Sequence, residues 1–190
     1  GHYVKMVHNG IEYAILQQIA DVYHIMKYGL NLSRKEIINC FKEWKYSNIS
    51  SYLIDITVTV LEKDDEDGQA LVDKILDVAK MKGTGNWTFI DGIERGVYIP
   101  SIGEAVFARS FSGNKRGREI GSEKLSYTKR QMNMPDYKNI LKEALYMSMI
   151  CSYAQGIELI KKASTDMSWD IDLVQAVSLW REGCIIRSGI

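Results

Sequence analysis

The chain has 190 residues, 46% of them hydrophobic, with 24 lysines and arginines against 24 aspartates and glutamates. That is enough chain for one sizeable core, and the ordinary apolar fraction excludes disorder as the default. The balanced charge excludes the basic excess of a nucleic-acid binder, and no apolar run approaches the roughly 20 residues a membrane span needs. Three cysteines, Cys40, Cys151 and Cys184, lack metal-ligand spacing and are too few and odd for a disulfide framework. With no visible signal or transit segment, the expected setting is a reducing, cytoplasmic one.

Only two prolines occur, so the chain reads as mostly or wholly α. A long first helix is expected from about Tyr3 to Tyr28, closed by Gly29. Ser33-Arg34-Lys35-Glu36 has the form of a capping box and opens a second helix running to about Tyr46. Ser50 to about Lys63 reads as a third, although its β-branched run Ile54 to Val60 also suits a strand. Beyond the acidic loop Asp64-Asp65-Glu66-Asp67-Gly68, a fourth helix is expected from Leu71 to about Met81. Lys82-Gly83-Thr84-Gly85-Asn86-Trp87 reads as a glycine-rich turn, and Asp91 to Arg95 as a short helix. Ser101-Ile102-Gly103-Glu104 fits a second capping box for a helix through about Ser112. Lys115, Arg116 and Arg118 read as a surface basic patch, and Ser122 to Gln131 is ambiguous. Pro135 suits the first turn of a long helix to about Ala163, and Ser168 to about Arg181 closes the series.

The first helix carries an unusual polar stripe. At 100° per residue, with Lys5 set at zero, His8 lies at about −60°, Asn9 at about +40°, Glu12 at about −20° and Tyr13 at about +80°. A solvated helix face usually shows Lys, Glu, Gln and Arg in i,i+4 pairs. Here His, Asn and Tyr stand beside one Lys and one Glu, and Gly10 interrupts the helix at a cost of about 1 kcal/mol relative to alanine. A mid-helix glycine suggests that something packs or binds close to the backbone. A lysine with a lowered pKa and a glutamate with a raised one form the pair that a reaction with two proton transfers requires. His8, Asn9 and Tyr13 offer fixed donors to an oxygen-rich substrate.

Two further clusters suit anions. Lys82-Gly83-Thr84-Gly85 combines an ammonium, a hydroxyl and flexible amides, which fits a phosphate, though such a turn also occurs without any ligand. It is not a P-loop, because the GxxxxGK[ST] spacing is missing. Arg109, in the apolar segment Ala105-Val106-Phe107-Ala108-Arg109, either faces solvent or forks onto a carboxylate or phosphate.

Together these clusters resemble the decarboxylating 6-phosphogluconate dehydrogenase family. The matching stretches are Lys5-Met6-Val7-His8-Asn9-Gly10-Ile11-Glu12-Tyr13, Lys82-Gly83-Thr84-Gly85-x-Trp87, Ile102-Gly103-Glu104-Ala105-Val106-Phe107-Ala108-Arg109 and Trp180-Arg181-x-Gly183-Cys184-Ile185-Ile186-Arg187-Ser188. The resemblance implies an all-α substrate-binding and dimerisation domain over residues 1–190. In a parent oxidoreductase of the pentose phosphate pathway, 6-phosphogluconate would be oxidised and decarboxylated to ribulose 5-phosphate with reduction of NADP. Lys5 would be the general base and Glu12 the acid that protonates C1 of the enediol. His8 and Asn9 would contact the sugar acid, while Tyr13, Lys82, Thr84 and Arg109 would hold the phosphate.

The resemblance also implies what lies elsewhere. The family's Rossmann domain, with the main NADP site and a serine-glycine-glycine loop, is not in this sequence, nor is the C-terminal tail that reaches into the partner subunit's site. The chain is therefore expected to be a fragment without turnover of its own, and a homodimer is the expected assembly. Asn86 stands where a lysine is common in the family. Two other readings are a non-catalytic binding or dimerisation module and the helical domain of another β-hydroxyacid dehydrogenase, which also places a lysine and an asparagine four apart. Glu12 and Lys82-Gly83-Thr84 count against the latter.

Overall fold

In a computed structural model, which describes residues 1–126 and 132–190, the chain is helical throughout its regular structure. The helices are α1 (His2–His24), α2 (Arg34–Trp44), α3 (Tyr52–Glu62), α4 (Thr84–Glu94), α5 (Pro100–Gly113), α6 (Lys115–Lys124), α7 (Tyr137–Asp166) and α8 (Leu173–Ser178). Among the described residues there is no strand, only the isolated bridges Ser51–Ser188 and Asp64–Ala70. Among the described residues no helix is long and apolar enough to cross a membrane.

The two longest helices, α1 and α7, form the spine. Val7, Ile11 and Ile15 of α1 and Leu145, Met149, Leu159 and Ile160 of α7 share one core and are almost fully buried. A polar tie crosses this seam: Gln18 Nε2 donates to Ser152 Oγ at 2.7 Å, and Ser152 is itself fully buried. Helices α4 and α5 pack on another side of α1, and α2 with α3 form a pair of their own.

The Ser33 capping box is complete: its hydroxyl accepts from Glu36 N, and the Glu36 carboxylate accepts from Ser33 N. The β-branched run becomes helix α3, because Leu53, Ile54, Val58 and Leu61 fall on one buried stripe and Ser51 caps the first turn. The first helix ends as expected near Gly29, but through a π turn over Ile25–Gly29, and the left-handed residue is Asn31.

Several expected elements differ. No helix spans Leu71 to Met81; only Leu71–Asp73 forms a 3₁₀ turn. Ile75, Leu76 and Met81 are exposed, so a helix here would have no face to bury. The segment is instead stapled by long-range polar contacts. Asp73 pairs with Lys27 at 2.5 Å, Asp77 with Lys115 at 2.5 Å and Arg118 at 2.7 Å, and Ser112 Oγ accepts from Ala79 N at 2.9 Å. The expected surface patch of Lys115, Arg116 and Arg118 thus has two members engaged with this loop.

The glycine-rich turn is shorter than expected. Gly83 alone makes it, at φ +100°, and α4 begins at Thr84, absorbing the short helix expected from Asp91. Ser101 is not a cap: Pro100 holds the first helical position of α5, and Ser101 exchanges two 3.0 Å hydrogen bonds with the Gln155 amide on α7. Pro135 lies just before Asp136, the N-cap of α7, outside the first turn. The last expected helix shrinks to α8, since Ser168 and Asp170 adopt positive φ ahead of it. Of the ambiguous Ser122 to Gln131, the first residues close α6; 127–131 lie outside the described residues.

Candidate active site

Helix α1 presents its polar stripe beside α4 and α5. Lys5 and Glu12 are seven residues apart, or roughly 10 Å along the axis. Lys5 is exposed and Glu12 half-buried. Burial pushes the Glu12 carboxyl above its ordinary 4.5, and this outweighs the opposing pull of Lys5 and Arg109, both within electrostatic reach. Glu12 is thus a carboxyl whose protonated form burial favours, while Lys5 and Arg109 favour its charged form.

From Lys5 a chain of hydrogen-bonding groups leads to Thr84 on α4. Lys5 Nζ lies 3.3 Å from His8 Nδ1, His8 Nδ1 lies 3.0 Å from Asn9 Oδ1, and Asn9 Nδ2 donates to Thr84 Oγ1 at 3.1 Å. His8 is 1% exposed and packs edge-on to Trp180, with ring centroids 6.0 Å apart. Its Nε2 is buried with no hydrogen-bond partner among the described residues. Burial lowers the His8 pKa from 6.5, with Lys5 adding to the effect and the Asn9 hydrogen bond opposing it.

Gly10 is where α4 comes closest. A Cβ there would stand 2.6 Å from Thr88 Cγ2. The buried Thr88 hydroxyl lies 2.8 Å from both the Met6 carbonyl on α1 and the Thr84 carbonyl in its own helix. One turn on, a Cβ at Gly85 would stand 2.5 Å from the Tyr13 ring, which also packs on Ala105 and Val106 of α5. The guanidinium of Arg109 lies over that ring, Cζ 3.5 Å from the centroid, and Nη1 donates to the Lys80 carbonyl at 3.3 Å.

The fold therefore gathers Lys5, His8, Asn9, Glu12, Tyr13, Thr84 and Arg109 along one edge of α1. Lys82 stands apart: it is exposed, just ahead of the Gly83 turn, with no ion pair or hydrogen bond among the described residues. Thr88 was not legible as a site residue, although the anomalous Gly10 was its signal.

The family model of the 6-phosphogluconate dehydrogenase C-terminal domain matches residues 1–190. The chain belongs to that family. It is 51% identical over 191 residues to the decarboxylating 6-phosphogluconate dehydrogenase of Staphylococcus epidermidis, covering 99% of this chain and 41% of that protein. The enzyme of the same name from Staphylococcus aureus is 48% identical over 190 residues, with the same coverage. Among solved structures, the 6-phosphogluconate dehydrogenase of Plasmodium falciparum superposes with a TM-score of 0.95 at 40% identity, over 99% of this chain and 41% of that one. That enzyme was studied in its apo form, with its cofactor NADP+ and with its substrate 6-phosphogluconate. The chain thus spans about two-fifths of the length of these relatives.

Proposed function

We propose that this chain is the helical substrate-binding domain of a longer NADP-dependent 6-phosphogluconate dehydrogenase, which oxidatively decarboxylates 6-phosphogluconate to ribulose 5-phosphate. The observation that carries the reading is the shared edge of α1. Lys5 and the upward-tuned Glu12 lie on one helix face, and the stacking of Arg109 on Tyr13 at its end supports an anion subsite there. A phosphorylated sugar acid laid along α1 would place its phosphate among Tyr13, Thr84, Lys82 and Arg109. Its hydroxyl carbons would then lie over Lys5, His8 and Asn9.

In this reading Lys5 takes the proton of the 3-hydroxyl as that carbon is oxidised, the oxidant being the NADP of the longer enzyme. After carbon dioxide leaves, the enediol formed from the substrate takes a proton from Glu12 at C1. His8 and Asn9 orient the hydroxyls between them.

NADP does not fit the described residues. They contain no strand–loop–helix unit for a pyrophosphate, and the one glycine-rich turn is closed by Trp87 and by Tyr13 against Gly85. The cofactor would have to be held by polypeptide beyond these 190 residues, where it would supply the hydride acceptor.

An assembly role accompanies this reading. Leu16, Ile19, Ala20 and Tyr23 of α1 and Ile56 and Val60 of α3 line an almost wholly apolar cleft of about 240 Å³. Such a face supports a homodimer. Sedimentation of the full-length enzyme as a monomer at high concentration would exclude the dimer.

The test of the activity is direct. The full-length enzyme, given 6-phosphogluconate and NADP, is expected to release NADPH and carbon dioxide in equal amounts, and the 190-residue chain to release neither. NADPH production by the short chain, or no turnover by the long one, would overturn the reading.

A further inference from the structure

Helices α1 and α4 run antiparallel, and their contacts form rungs. Tyr13 meets Gly85, Asn9 meets Thr84, Met6 and Gly10 meet Thr88, and the Tyr3 hydroxyl donates to Asp91 Oδ2. Lys5 lies between the last two rungs. We propose that Tyr3 and Asp91 are positioning residues for Lys5, fixing the axial register of the first turns of α1; this rests on the reading of Lys5 as the base.

Asp91 is itself held from behind. Arg95 Nε lies 3.1 and 2.9 Å from its two oxygens, and Arg95 Nη1 reaches Asp166 on α7 at 3.0 Å. Asp166 also accepts from Lys162 at 2.5 Å. These carboxylates and guanidinium are mostly shielded, with Arg95 17% and Asp91 20% exposed. The Tyr3 ring is wedged edge-on against Trp169, centroids 5.2 Å apart, with the Arg95 guanidinium 5.8 Å over its face. The start of α1 is thus tied to the far ends of both α4 and α7.

Tyr3 lies about 160° around the helix from Lys5, so its hydroxyl never reaches a substrate on the stripe. Its effect is mechanical. A slip of one residue would move Lys5 by about 1.5 Å along the axis and 100° around it, enough to misplace a proton-transfer group. The anion subsite is held by the Asn9–Thr84 and Tyr13–Gly85 rungs at the other end. Loss of the Tyr3 rung should therefore loosen the base and leave phosphate binding intact.

The experiment uses the full-length enzyme with Tyr3→Phe, which removes one oxygen and keeps the packed ring. Expected are a roughly tenfold lower kcat, a KM for 6-phosphogluconate within about twofold of wild type, and a larger isotope effect with substrate deuterated at C3. Asp91→Asn, which keeps an acceptor for the Tyr3 hydroxyl, should retain more kcat than Asp91→Ala at matched melting temperature. A Tyr3→Phe enzyme with unchanged kcat, or with KM rising as kcat falls, or with an unchanged isotope effect, overturns the proposal. A wild-type enzyme inert toward 6-phosphogluconate would instead refute the functional reading beneath it.

Discussion

The guanidinium of Arg109 rests on the ring of Tyr13, its Cζ 3.5 Å from the ring centroid, and Tyr13 in turn rests on Gly85 and Val106. Stacking fixes the plane of the guanidinium before any ligand arrives, and its Nη1 is steadied by the Lys80 carbonyl. A lysine in its place keeps the charge and loses the fork and the stack. Charge-assisted hydrogen bonds are worth about 1.5–3 kcal/mol, so Arg109→Lys should raise KM for 6-phosphogluconate roughly 10- to 100-fold. Steady-state kinetics of the full-length enzyme checks this; a KM within about twofold would remove Arg109 from the anion subsite.

Gly10→Ala tests the close approach of α1 and α4. On propensity alone alanine should gain about 1 kcal/mol in mid-helix. The new Cβ would stand 2.6 Å from Thr88 Cγ2 and 3.0 Å from its Oγ1, and Thr88 is fully buried with a hydroxyl tied to α1. Overpacking of this kind costs about 1–3 kcal/mol and should win. Denaturant unfolding should show a net loss; a stabilised variant would mean that the helices separate freely here.

His8 sets a pH dependence of stability. Burial lowers its pKa from 6.5, and the groups facing it are Lys5, Asn9 and Trp180. The unfolded chain takes up a proton near 6.5 and the folded one only at lower pH. Stability is therefore flat above that value and lost as pH falls from it toward the folded pKa. Glu12, raised from 4.5, works in the opposite sense, weakening the fold as pH rises above 4.5. Melting temperatures between about pH 8 and about pH 5 should fall less for His8→Asn than for wild type. Parallel curves would contradict the assignment.

Asp77 offers a local counterpart. It is 58% exposed, so its pairs with Lys115 and Arg118 are screened by water and add little to global stability. Their effect should be on the loop they staple. Asp77→Ala should speed hydrogen exchange and proteolysis around Ala79 and Met81 while the melting temperature barely moves. Unchanged exchange there would show that Ser112 and Arg109 hold the loop unaided.

What the sequence disclosed, and what it hid, follows from the range of the interactions. Lys5, Asn9, Glu12 and Tyr13 were legible because helical geometry alone puts them on one face, and the Ser33 cap because its signals lie within four residues. The non-helical course of Leu71 to Met81 was hidden, since Asp77 finds its partners 38 and 41 residues away. Thr84 to Trp87 read as a turn because glycine is a poor helix former, yet Gly85 is the residue that lets Tyr13 come close. The Tyr3–Asp91 rung spans 88 residues and carries no local pattern at all.

The central claim is that Lys5 is the base of the reaction, and the rate of NADPH formation by full-length Lys5→Ala tests it most directly. Removing a general base should lower kcat by roughly 10²-fold or more, with substrate still bound through Arg109 and its neighbours. A kcat equal to wild type would contradict the account.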